Sequence, residues 1–409
     1  MTQLDVAVAP VAPPPLLLPD GRPAAAAWPS DPALRHLNHG SFGAVPSEVI
    51  EGQARLRAEM EASPLRWYVG LPARHAEARA RVAPHLGVAA DDLAFVPNAS
   101  GGASVAFTCI PVRAGCEIVV TDHGYGAVTM GAERLARRWG GTVRVARVPL
   151  SAGPEEAAAA VIAEFSDRTG LVVVDHVTSP TARRMPVAEI GTAARAREIP
   201  FLVDGAHYPA MVADPLEGVD CDVWVGNLHK YGCAPRGAGV LVARGPLVGE
   251  MNPLIDSWGA PKPFPARFDE QGTLDTTSWL AAPDSLDLVE DLWGWDVVRE
   301  HSDRLASYGA AVIADAFTAL TGEDHRVDVG MTVGPMRLVR LPAPLCLGPG
   351  GGNALRDRVL TELGVEGAFT SFDGVGYLRL SAHAYNTPDD YEDFAERCVP
   401  VLAGWASRA

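Results

Sequence analysis

The stretch Asp222-Val223-Trp224-Val225-Gly226-Asn227-Leu228-His229-Lys230-Tyr231 joins an apolar, β-forming run to a polar end that presents a histidine and a lysine. A second apolar run, Phe201-Leu202-Val203, ends earlier in the chain in Asp204-Gly205-Ala206-His207. One predicted strand therefore ends in a carboxylate and the next in an amine. The carboxyl ends of parallel strands meet at one edge of a sheet, so we expect Asp204 and Lys230 to lie close together.

Apolar runs that predict strands alternate with stretches that predict helices over much of the chain. The predicted strands are 93–96, 117–121, 143–148, 171–174, 201–203, 223–225 and 239–242. The predicted helices between them are 47–62, 73–86, 101–107, 126–139, 155–165 and 187–197. This alternation predicts an α/β fold in which a mostly parallel sheet is sandwiched by helices.

The chain divides into three segments that differ in composition and in predicted secondary structure. Residues 1–30 are rich in Pro and Ala and predict an N-terminal extension with little fixed structure. Residues 31–270 form the predicted large domain, including its N-terminal arm. Residues 271–409 combine a long helical stretch over 284–321 with short strands near 336–341 and 377–380, which predicts a small C-terminal α+β domain.

The composition excludes several classes of partner. The 409 residues carry a formal net charge of −16, which argues against binding to nucleic acid or to an anionic membrane surface. The six cysteines form no C-x-x-C pair, so we expect a reduced, cytoplasmic protein without a zinc ribbon. The N-terminus lacks the basic region of a signal peptide, and no apolar run reaches 18 residues.

An adjacent lysine and aspartate suit pyridoxal phosphate (PLP). The aldehyde of this cofactor needs a lysine for a Schiff base, and its ring nitrogen needs an acidic partner to stay protonated. Gly205 and Ala206 leave room for a flat ring, and His207 could bond the phenolic oxygen or pack on the ring face. A cap of the following helix is the structural alternative for Asp204.

The rest of the chain offers candidates for holding the cofactor and a substrate. Asn98-Ala99-Ser100-Gly101-Gly102-Ala103-Ser104 follows a strand and opens a helix, so its backbone N–H groups could bind a phosphate. His123 or Tyr125 could stack on the ring, and the residues alone leave this choice open. Thr178 follows Asp175-His176 at another strand end, where structural capping is a close competitor. Arg379, within a strand of alternating character, suits bidentate binding of a carboxylate.

These segments resemble class V, fold type I PLP enzymes, especially the isopenicillin N epimerase-like branch. The resemblance runs from about His36 to the end of the chain. The matching blocks, in order, are Leu37-Asn38-His39-Gly40-Ser41-Phe42-Gly43, Asn98-Ala99-Ser100, Asp175-His176-Val177-Thr178-Ser179-Pro180-Thr181, Asp204-Gly205-Ala206-His207, Gly226-Asn227-Leu228-His229-Lys230, Gly272-Thr273-Leu274-Asp275 and Arg379-Leu380-Ser381 with Tyr385-Asn386-Thr387.

The resemblance implies a homodimer with shared active sites and a role for each matched residue. Lys230 would carry the cofactor, Asp204 would bind the ring nitrogen, and Tyr125, rather than His123, would lie over the ring. The remaining expected cofactor-binding residues are Ala99, Ser100, Gly101 and His229 for the phosphate, His176, Thr178 and His207 near the ring, and Thr273 from the other subunit. Arg379 would bind the substrate carboxylate, and Asn38, His39 and Ser41 would line the entrance.

The resemblance also implies an enzyme that acts on an L-amino acid through an external aldimine and a quinonoid. Relatives that process cysteine S-conjugates in lincosamide antibiotic pathways favour such a conjugate in secondary metabolism, cleaved by C–S β-elimination or by decarboxylation coupled to oxidative deamination. The alternatives are an amino-acid epimerase and an aminotransferase. No cysteine lies in a recognisable persulfide loop, and Cys346 is the one candidate for such a role. A metal-dependent hydrolase using the Asp and His strand ends is a remote alternative, since it leaves Lys230 unexplained.

Overall fold

The computed structural model describes residues 11–408. In chain order its strands are β1 (Arg35–His36), β2 (Leu93–Val96), β3 (Glu117–Thr121), β4 (Thr142–Ala146), β5 (Thr169–Asp175), β6 (Phe201–Asp204), β7 (Val223–Asn227), β8 (Gly239–Ala243), β9 (Met336–Arg340), β10 (Val365–Glu366), β11 (Ala368–Phe372) and β12 (Val375–Ser381).

Its α-helices are α1 (His39–Phe42), α2 (Ser47–Ala62), α3 (Pro64–Val82), α4 (Ala99–Cys109), α5 (Gly126–Arg138), α6 (Pro154–Ile162), α7 (Val187–Arg195), α8 (Thr277–Trp293), α9 (Trp295–Thr321), α10 (Gly351–Leu363), α11 (Pro388–Asp393) and α12 (Val399–Ala406). A π-helical turn, Phe394–Cys398, joins the last two. No helix in the described part of the chain is both long and apolar enough to cross a lipid bilayer.

The central sheet has seven strands in the order β2-β8-β7-β6-β5-β3-β4. Strands β3 to β7 run parallel, whereas β8 is antiparallel to both β7 and β2. Side chains alternate between the two faces of each strand. Phe201, Val203 and Trp224 therefore join one hydrophobic cluster, and Leu202 and Val225 join the other. The predicted α/β sandwich is confirmed, with one strand reversed.

Strand register brings the polar strand ends together. Asp175 at the end of β5 pairs with Asp204 at the end of β6, and Asp204 pairs in turn with Val225 of β7. The chain then leaves β7, passes through Lys230 and returns as β8, whose Gly239 lies opposite Asn227. The expected meeting of the Asp204 and Lys230 segments at one sheet edge is therefore present.

A second, antiparallel sheet with the order β11-β12-β9 forms the C-terminal part together with helices α9 to α12. Strand β1 pairs with β10 of this part, so the N-terminal arm is attached to it just before it reaches the site. Helix α8 instead buries Trp279, Leu286 and Val289 in the core of the central sheet. We therefore propose that the small domain begins after α8 rather than at residue 271.

The N-terminal segment differs from its expected lack of structure, as far as it is described. Trp28 is buried and stacks on Trp293 with ring centroids 5.9 Å apart. The indole N–H of Trp293 donates to the Leu17 carbonyl at 2.7 Å, and Leu18 and Ala24 are also buried. Apolar side chains hidden among the prolines and alanines anchor this segment, because their burial removes them from water. Residues 1–10 lie outside the described residues.

Candidate active site

A cavity of about 260 Å³ lies at the carboxyl ends of β5, β6 and β7. Strand ends supply one wall, the start of α4 supplies another, and the N-terminal arm closes the side. Its lining residues are Ser41, Phe42, Asn98, Ala99, Ser100, Tyr125, Asp175, Val177, Ser179, Asp204, Ala206, His207, Asn227, His229 and Lys230.

Lys230 is half-buried, and its amine Nζ lies 3.0 Å from Nε2 of His207. Burial lowers the pKa of Lys230 to about 7, and the nearby positive charge of Arg379 acts in the same direction. Asp204 and Asp175 oppose this shift. A large fraction of the amine is therefore unprotonated at neutral pH, which makes Lys230 able to act as a nucleophile or as a base.

Asp204 and Asp175 form a buried pair of carboxyl groups next to this lysine. Asp204 accepts a hydrogen bond from the Ala206 amide at 3.0 Å, and Asp175 accepts one from the Tyr125 amide at 3.0 Å. Burial raises the pKa of both groups, and the charge of Asp204 raises that of Asp175 further. Among residues 11–408, neither carboxyl has an arginine or lysine within ion-pair distance. A protonated ring nitrogen would supply the missing positive partner of Asp204.

The start of helix α4 offers fewer free amides than the sequence predicts. The Ala99 N–H donates to Oδ1 of Asn227 at 2.8 Å, and the Gly101 N–H donates to Oδ1 of Asn98 at 2.8 Å. Within the described residues, Ser100 alone of the three predicted amides keeps its N–H free. The role expected of Gly101 therefore needs correction, because its amide is used to cap the helix and the residue does not line the cavity.

Helix α4 approaches β7 closely because a glycine lies between them. A Cβ atom on Gly102 would lie 2.7 Å from Cγ1 of Val225, which is closer than side chains pack. This contact aims the positive end of the helix dipole at the cavity. His229 also lines the cavity, and its Nδ1 donates to the Ala238 carbonyl at 2.9 Å. Burial lowers the pKa of His229 to about 4.

The structure decides between the two aromatic candidates. His123 is fully buried, with its ring nitrogens 2.7 Å from Oγ1 of Thr181 and 2.7 Å from the Val148 carbonyl, and its ring stacks on Phe372. Tyr125 lines the cavity and is 42% exposed. His123 is therefore a core residue, and Tyr125 is the aromatic side chain available to a bound ring.

The positions expected of His176 and Thr178 are wrong. His176 stacks on Tyr208, with ring centroids 3.5 Å apart, and its Nδ1 accepts a hydrogen bond from Trp224. Thr178 bonds Thr181 and the backbone of the same turn. The physical reason is strand alternation: Asp175, Val177 and Ser179 face the cavity, and the residues between them face the opposite side.

Arg379 is a buried cation without a carboxylate partner in the described part of the chain. Its Nη1 donates to the Ser179 carbonyl at 2.7 Å, and its Nη2 donates to Oγ of Ser41 at 2.6 Å and to Oδ1 of Asn38 at 3.1 Å. Its Nε has no acceptor among residues 11–408, and burial lowers its pKa. A buried guanidinium bonded only by neutral groups is costly unless an anion joins it.

His39 does not line the entrance, in contrast to its expected position beside Asn38 and Ser41. Its ring is fully buried, lies 3.0 Å from the Lys230 carbonyl and 2.8 Å from the Tyr385 hydroxyl, and stacks on His383. His39 follows Asn38 directly, and its side chain points into the protein because helix α1 begins at this residue. His39 thus supports the backbone of the connection 228–238 between β7 and β8, the lysine loop.

The remote metal hypothesis can be tested on the same residues. Within residues 11–408, the one group of three potential ligands in suitable proximity is His39, Cys233 and His383. His39 is hydrogen-bonded to the Lys230 carbonyl, and Nε2 of His383 lies 3.2 Å from the Tyr231 carbonyl. These ring nitrogens already have partners, so the group fits a hydrogen-bonded support of the loop better than a metal centre.

Two other residues complete the comparison with the sequence. Thr273 is exposed and does not line this cavity, so its expected role toward a second subunit stays a prediction. Asp175 ends its strand in the same way as Asp204, yet sequence reasoning gave it no role. Both residues end an apolar run, and this shared pattern could have identified Asp175 as a site residue.

Comparison with known proteins identifies the family. The model of the class-V aminotransferases matches residues 46–328. This chain belongs to that family. It is 31% identical to an isopenicillin N epimerase of Streptomyces clavuligerus, with 91% of this chain and 96% of that protein covered. An L-cysteine desulfhydrase of Arabidopsis thaliana is 24% identical, with 90% and 88% covered.

Solved structures agree on the fold. The cystine C-S lyase C-DES superposes with a TM-score of 0.73 at 18% identity, over 90% of this chain and 97% of that one. A cysteine desulfurase from Thermococcus onnurineus gives 0.74 at 18% identity, over 96% and 100%. The expected family, fold type I architecture and enzymatic nature are confirmed. The cofactor of this family, and of this protein, is PLP.

The residues of the cavity fit this cofactor. Among the residues that the structure describes, the carboxyl of Asp204 has no ion-pair partner and the amine of Lys230 contacts only His207. The Ser100 amide lies at the start of a helix that borders the cavity. A Cβ on Gly205 would lie 2.2 Å from the Trp224 ring, so only glycine allows this turn beside Ala206. The small residues keep the ring site open, as a flat group requires.

Proposed function

We propose that this PLP enzyme acts on an L-amino acid of the cysteine S-conjugate type and breaks its Cβ–S bond by β-elimination. The observation that carries the proposal is the Lys230 amine, whose pKa is lowered to about 7, beside Asp204. The buried Arg379, which bonds the lining residues Ser41 and Ser179, has no carboxylate partner among residues 11–408. These are the groups needed to hold an amino acid and to remove its Cα proton. Relatives named for epimerisation and for cysteine breakdown support chemistry at these two carbons.

The cofactor, when bound, withdraws electrons from the substrate Cα. Asp204 is proposed to hold the proton on the ring nitrogen, and the raised pKa of this buried carboxyl falls once a cation lies against it. The free Ser100 amide and His229 are proposed to bind the phosphate at the start of α4. Tyr125 would cover one face of the ring.

Arg379 is proposed to bind the substrate carboxylate. A carboxylate would satisfy its free Nε–H and neutralise its buried charge. Asn38, Ser41 and Ser179 hold the guanidinium by four hydrogen bonds to neutral groups, which fix its plane without compensating its charge. Substrate orientation would therefore depend on the N-terminal arm and on β12 together.

Lys230 is proposed to act as the general base at Cα. A group with a pKa near the working pH is both deprotonated enough to accept a proton and acidic enough to return it. In elimination, the electrons of the Cα–H bond form the Cα–Cβ double bond while sulfur leaves as a thiolate. Lys230 would then hold the proton that the thiolate takes up.

Epimerisation is the second candidate, and Tyr125 is the observation that favours it. Its side chain reaches the cavity from the β3–α5 connection, whereas Lys230 arrives from the β7–β8 connection. An epimerase needs proton carriers on two faces of Cα, and Lys230 and Tyr125 are the two side chains proposed for these positions. Transamination and decarboxylation coupled to oxidative deamination use the same first contacts.

A persulfide-forming desulfurase is less favoured. No cysteine in the described part of the chain lines the cavity. Cys346 is buried in the core of the small domain, and burial raises the pKa of its thiol to about 11. A buried, protonated thiol is a poor nucleophile.

We also propose a homodimer in which Thr273 approaches the cavity of the partner subunit. Exposed apolar side chains in the nearby segment support a covered surface there: Trp258 is 88% exposed and Leu254 is 54% exposed. A cytoplasmic location and a role in antibiotic biosynthesis, including lincosamide pathways, are further proposals. All six cysteines are unpaired, which favours a reducing compartment.

Product analysis with S-methyl-L-cysteine tests the proposed reaction. We expect equal amounts of methanethiol and pyruvate, with no change of configuration in the remaining substrate. An aldehyde with loss of CO₂ would instead indicate oxidative decarboxylation, and D-substrate without thiol would indicate epimerisation. Either result would refute β-elimination as the main reaction.

A further inference from the structure

A second, larger cavity shares a lining residue with the cofactor cavity. Its volume is about 600 Å³, against about 260 Å³ for the first, and Phe42 lines both. Asn38, which accepts a hydrogen bond from Arg379, also lines it. A substrate held by Arg379 would therefore have this cavity within reach of its side chain.

The walls of the second cavity are mixed in character. Ile50 and Leu360 supply partly exposed apolar surface. Two cations, Arg236 and Arg356, and two carboxylates, Asp31 and Glu366, supply charge. The Glu366 carboxylate is engaged by Nδ1 of His36. Such walls suit a substituent that is largely apolar and carries one charged group.

Among the charged residues that line the second cavity, Arg236 is the one that belongs to the connection between β7 and β8, which carries Lys230. Its Nη2 donates to the Gly43 carbonyl at 2.6 Å, and no carboxylate among the described residues lies within ion-pair distance of it. Gly43 in turn packs on the lysine loop: its φ is +48°, and a Cβ there would lie 2.4 Å from the His229 carbonyl and 2.7 Å from that of Lys230. Arg236 is thus held in the wall of the second cavity beside the loop that carries Lys230, and its single hydrogen bond among the described residues leaves other N–H donors available.

We propose that this second cavity binds the sulfur substituent of the substrate, and that Arg236 binds an anionic group on it. The inference deepens the proposed function and rests on it. It names the substrate class as long, largely apolar conjugates that end in a carboxylate or a similar anion. Cysteine itself would leave this cavity unfilled.

The test compares three conjugates: S-methyl-L-cysteine, S-(4-carboxybenzyl)-L-cysteine and its neutral analogue S-(4-carbamoylbenzyl)-L-cysteine. Affinity for the holoenzyme is read by stopped-flow absorbance of the cofactor, before turnover. We expect the carboxybenzyl conjugate to bind about tenfold more tightly than the carbamoyl one, the scale of one charge-assisted hydrogen bond. Equal affinity of all three conjugates would overturn the subsite.

Two variants separate charge from shape. Arg236→Gln should remove the preference for carboxybenzyl over carbamoylbenzyl, and Arg236→Lys should keep part of it. Leu360→Trp, on the outer face of α10, should lower the affinity of both benzyl conjugates relative to the methyl conjugate by about tenfold. Arg137→Gln, which removes an exposed charge on α5, is the control and should leave all ratios unchanged.

Product analysis on the same samples keeps the two proposals apart. If the affinity pattern holds but no thiol is released, the subsite stands and β-elimination is wrong. If thiol is released from all three conjugates with equal affinities and no effect of Arg236→Gln, β-elimination stands and the subsite is wrong. A preference that survives Arg236→Gln would also contradict the assignment of the anion to this residue.

Discussion

The most informative prediction concerns the protonation of Lys230 in the cofactor-free protein. The chain contains only two lysines, Lys230 and Lys262, so an amine-directed reagent has two side-chain targets. With a pKa of about 7, half of the Lys230 amines are neutral at pH 7. For a lysine of ordinary pKa the neutral fraction at this pH is about one in 3,000. Lys230 should therefore carry about a thousandfold more reactive amine than an ordinary lysine.

The sign of the pKa shift can be tested by changing its neighbours. Arg379→Gln removes a positive charge that lowers the pKa of Lys230, so the midpoint should move to higher pH. Asp204→Asn removes a negative charge that raises it, so the midpoint should move to lower pH. A single charge at about 10 Å and an effective dielectric constant of about 20 corresponds to roughly one pKa unit, which sets the expected scale.

The assay is brief labelling with acetic anhydride between about pH 5 and pH 10, followed by mass spectrometry of the two lysine peptides. Lys262, whose ammonium lies against Glu270 outside the cavity, is the internal comparator. The Lys230 label should rise through a midpoint near pH 7 and then level off. Labelling of Lys230 that follows Lys262 across the whole range, without a midpoint between pH 6 and pH 8, would refute the reasoning.

Three further predictions test the carboxylate, the guanidinium and the ring site. Asp204→Asn should retain PLP but lose activity by at least about a hundredfold, the scale of a positioned proton-holding group, and full activity would contradict its role toward the ring nitrogen. Arg379→Gln should raise KM for amino-acid substrates by about 10- to 100-fold, with a smaller effect on kcat, and an unchanged KM would remove its carboxylate role. Gly205→Ala should destabilise the protein by about 1–3 kcal/mol in urea unfolding, because the new methyl group meets the Trp224 ring. The control Gly70→Ala lies in helix α3 with nothing within 4 Å of its new Cβ and should be neutral or stabilising, so equal effects of the two substitutions would contradict the steric account.

Local sequence patterns carried most of the information about the central sheet. The strand predicted over 117–121 coincides with β3, and the helix predicted over 47–62 coincides with α2. Both have clear periodicity or β-forming runs, so local preference and tertiary packing agree. The reversed direction of β8 was not predicted. The connection after Lys230 contains no helix and is too short for the crossover that parallel neighbours need, so its length was the available indication.

The reactive pair was predictable for a related reason. Asp204 and Lys230 each follow an apolar run directly, and parallel register brings such positions to one edge. His176 and Thr178 also follow a strand end, but alternation turns them to the opposite face. The same two-residue alternation, continued from Asp175, leads to Val177 and Ser179, which do line the cavity.

Features that depend on distant segments could not be read from local patterns. Trp28 is buried by Trp293, far along the chain, although its neighbours resemble a disordered extension. Arg379 contacts Asn38 and Ser41 because β1 pairs with β10. Hydrophobic periodicity does not predict such a pairing between distant segments. The second cavity has the same origin, since its walls come from the N-terminal arm, the lysine loop and helix α10.

Borohydride reduction of the holoenzyme, followed by peptide mapping, tests the central claim most directly. Reduction should fix the pyridoxyl group to the side chain at position 230 and leave position 262 unmodified, and Lys230→Ala should abolish both the fixed label and the visible absorption band that reduction removes. A pyridoxyl group found on Lys262, or a reducible band that persists in Lys230→Ala, would contradict the account.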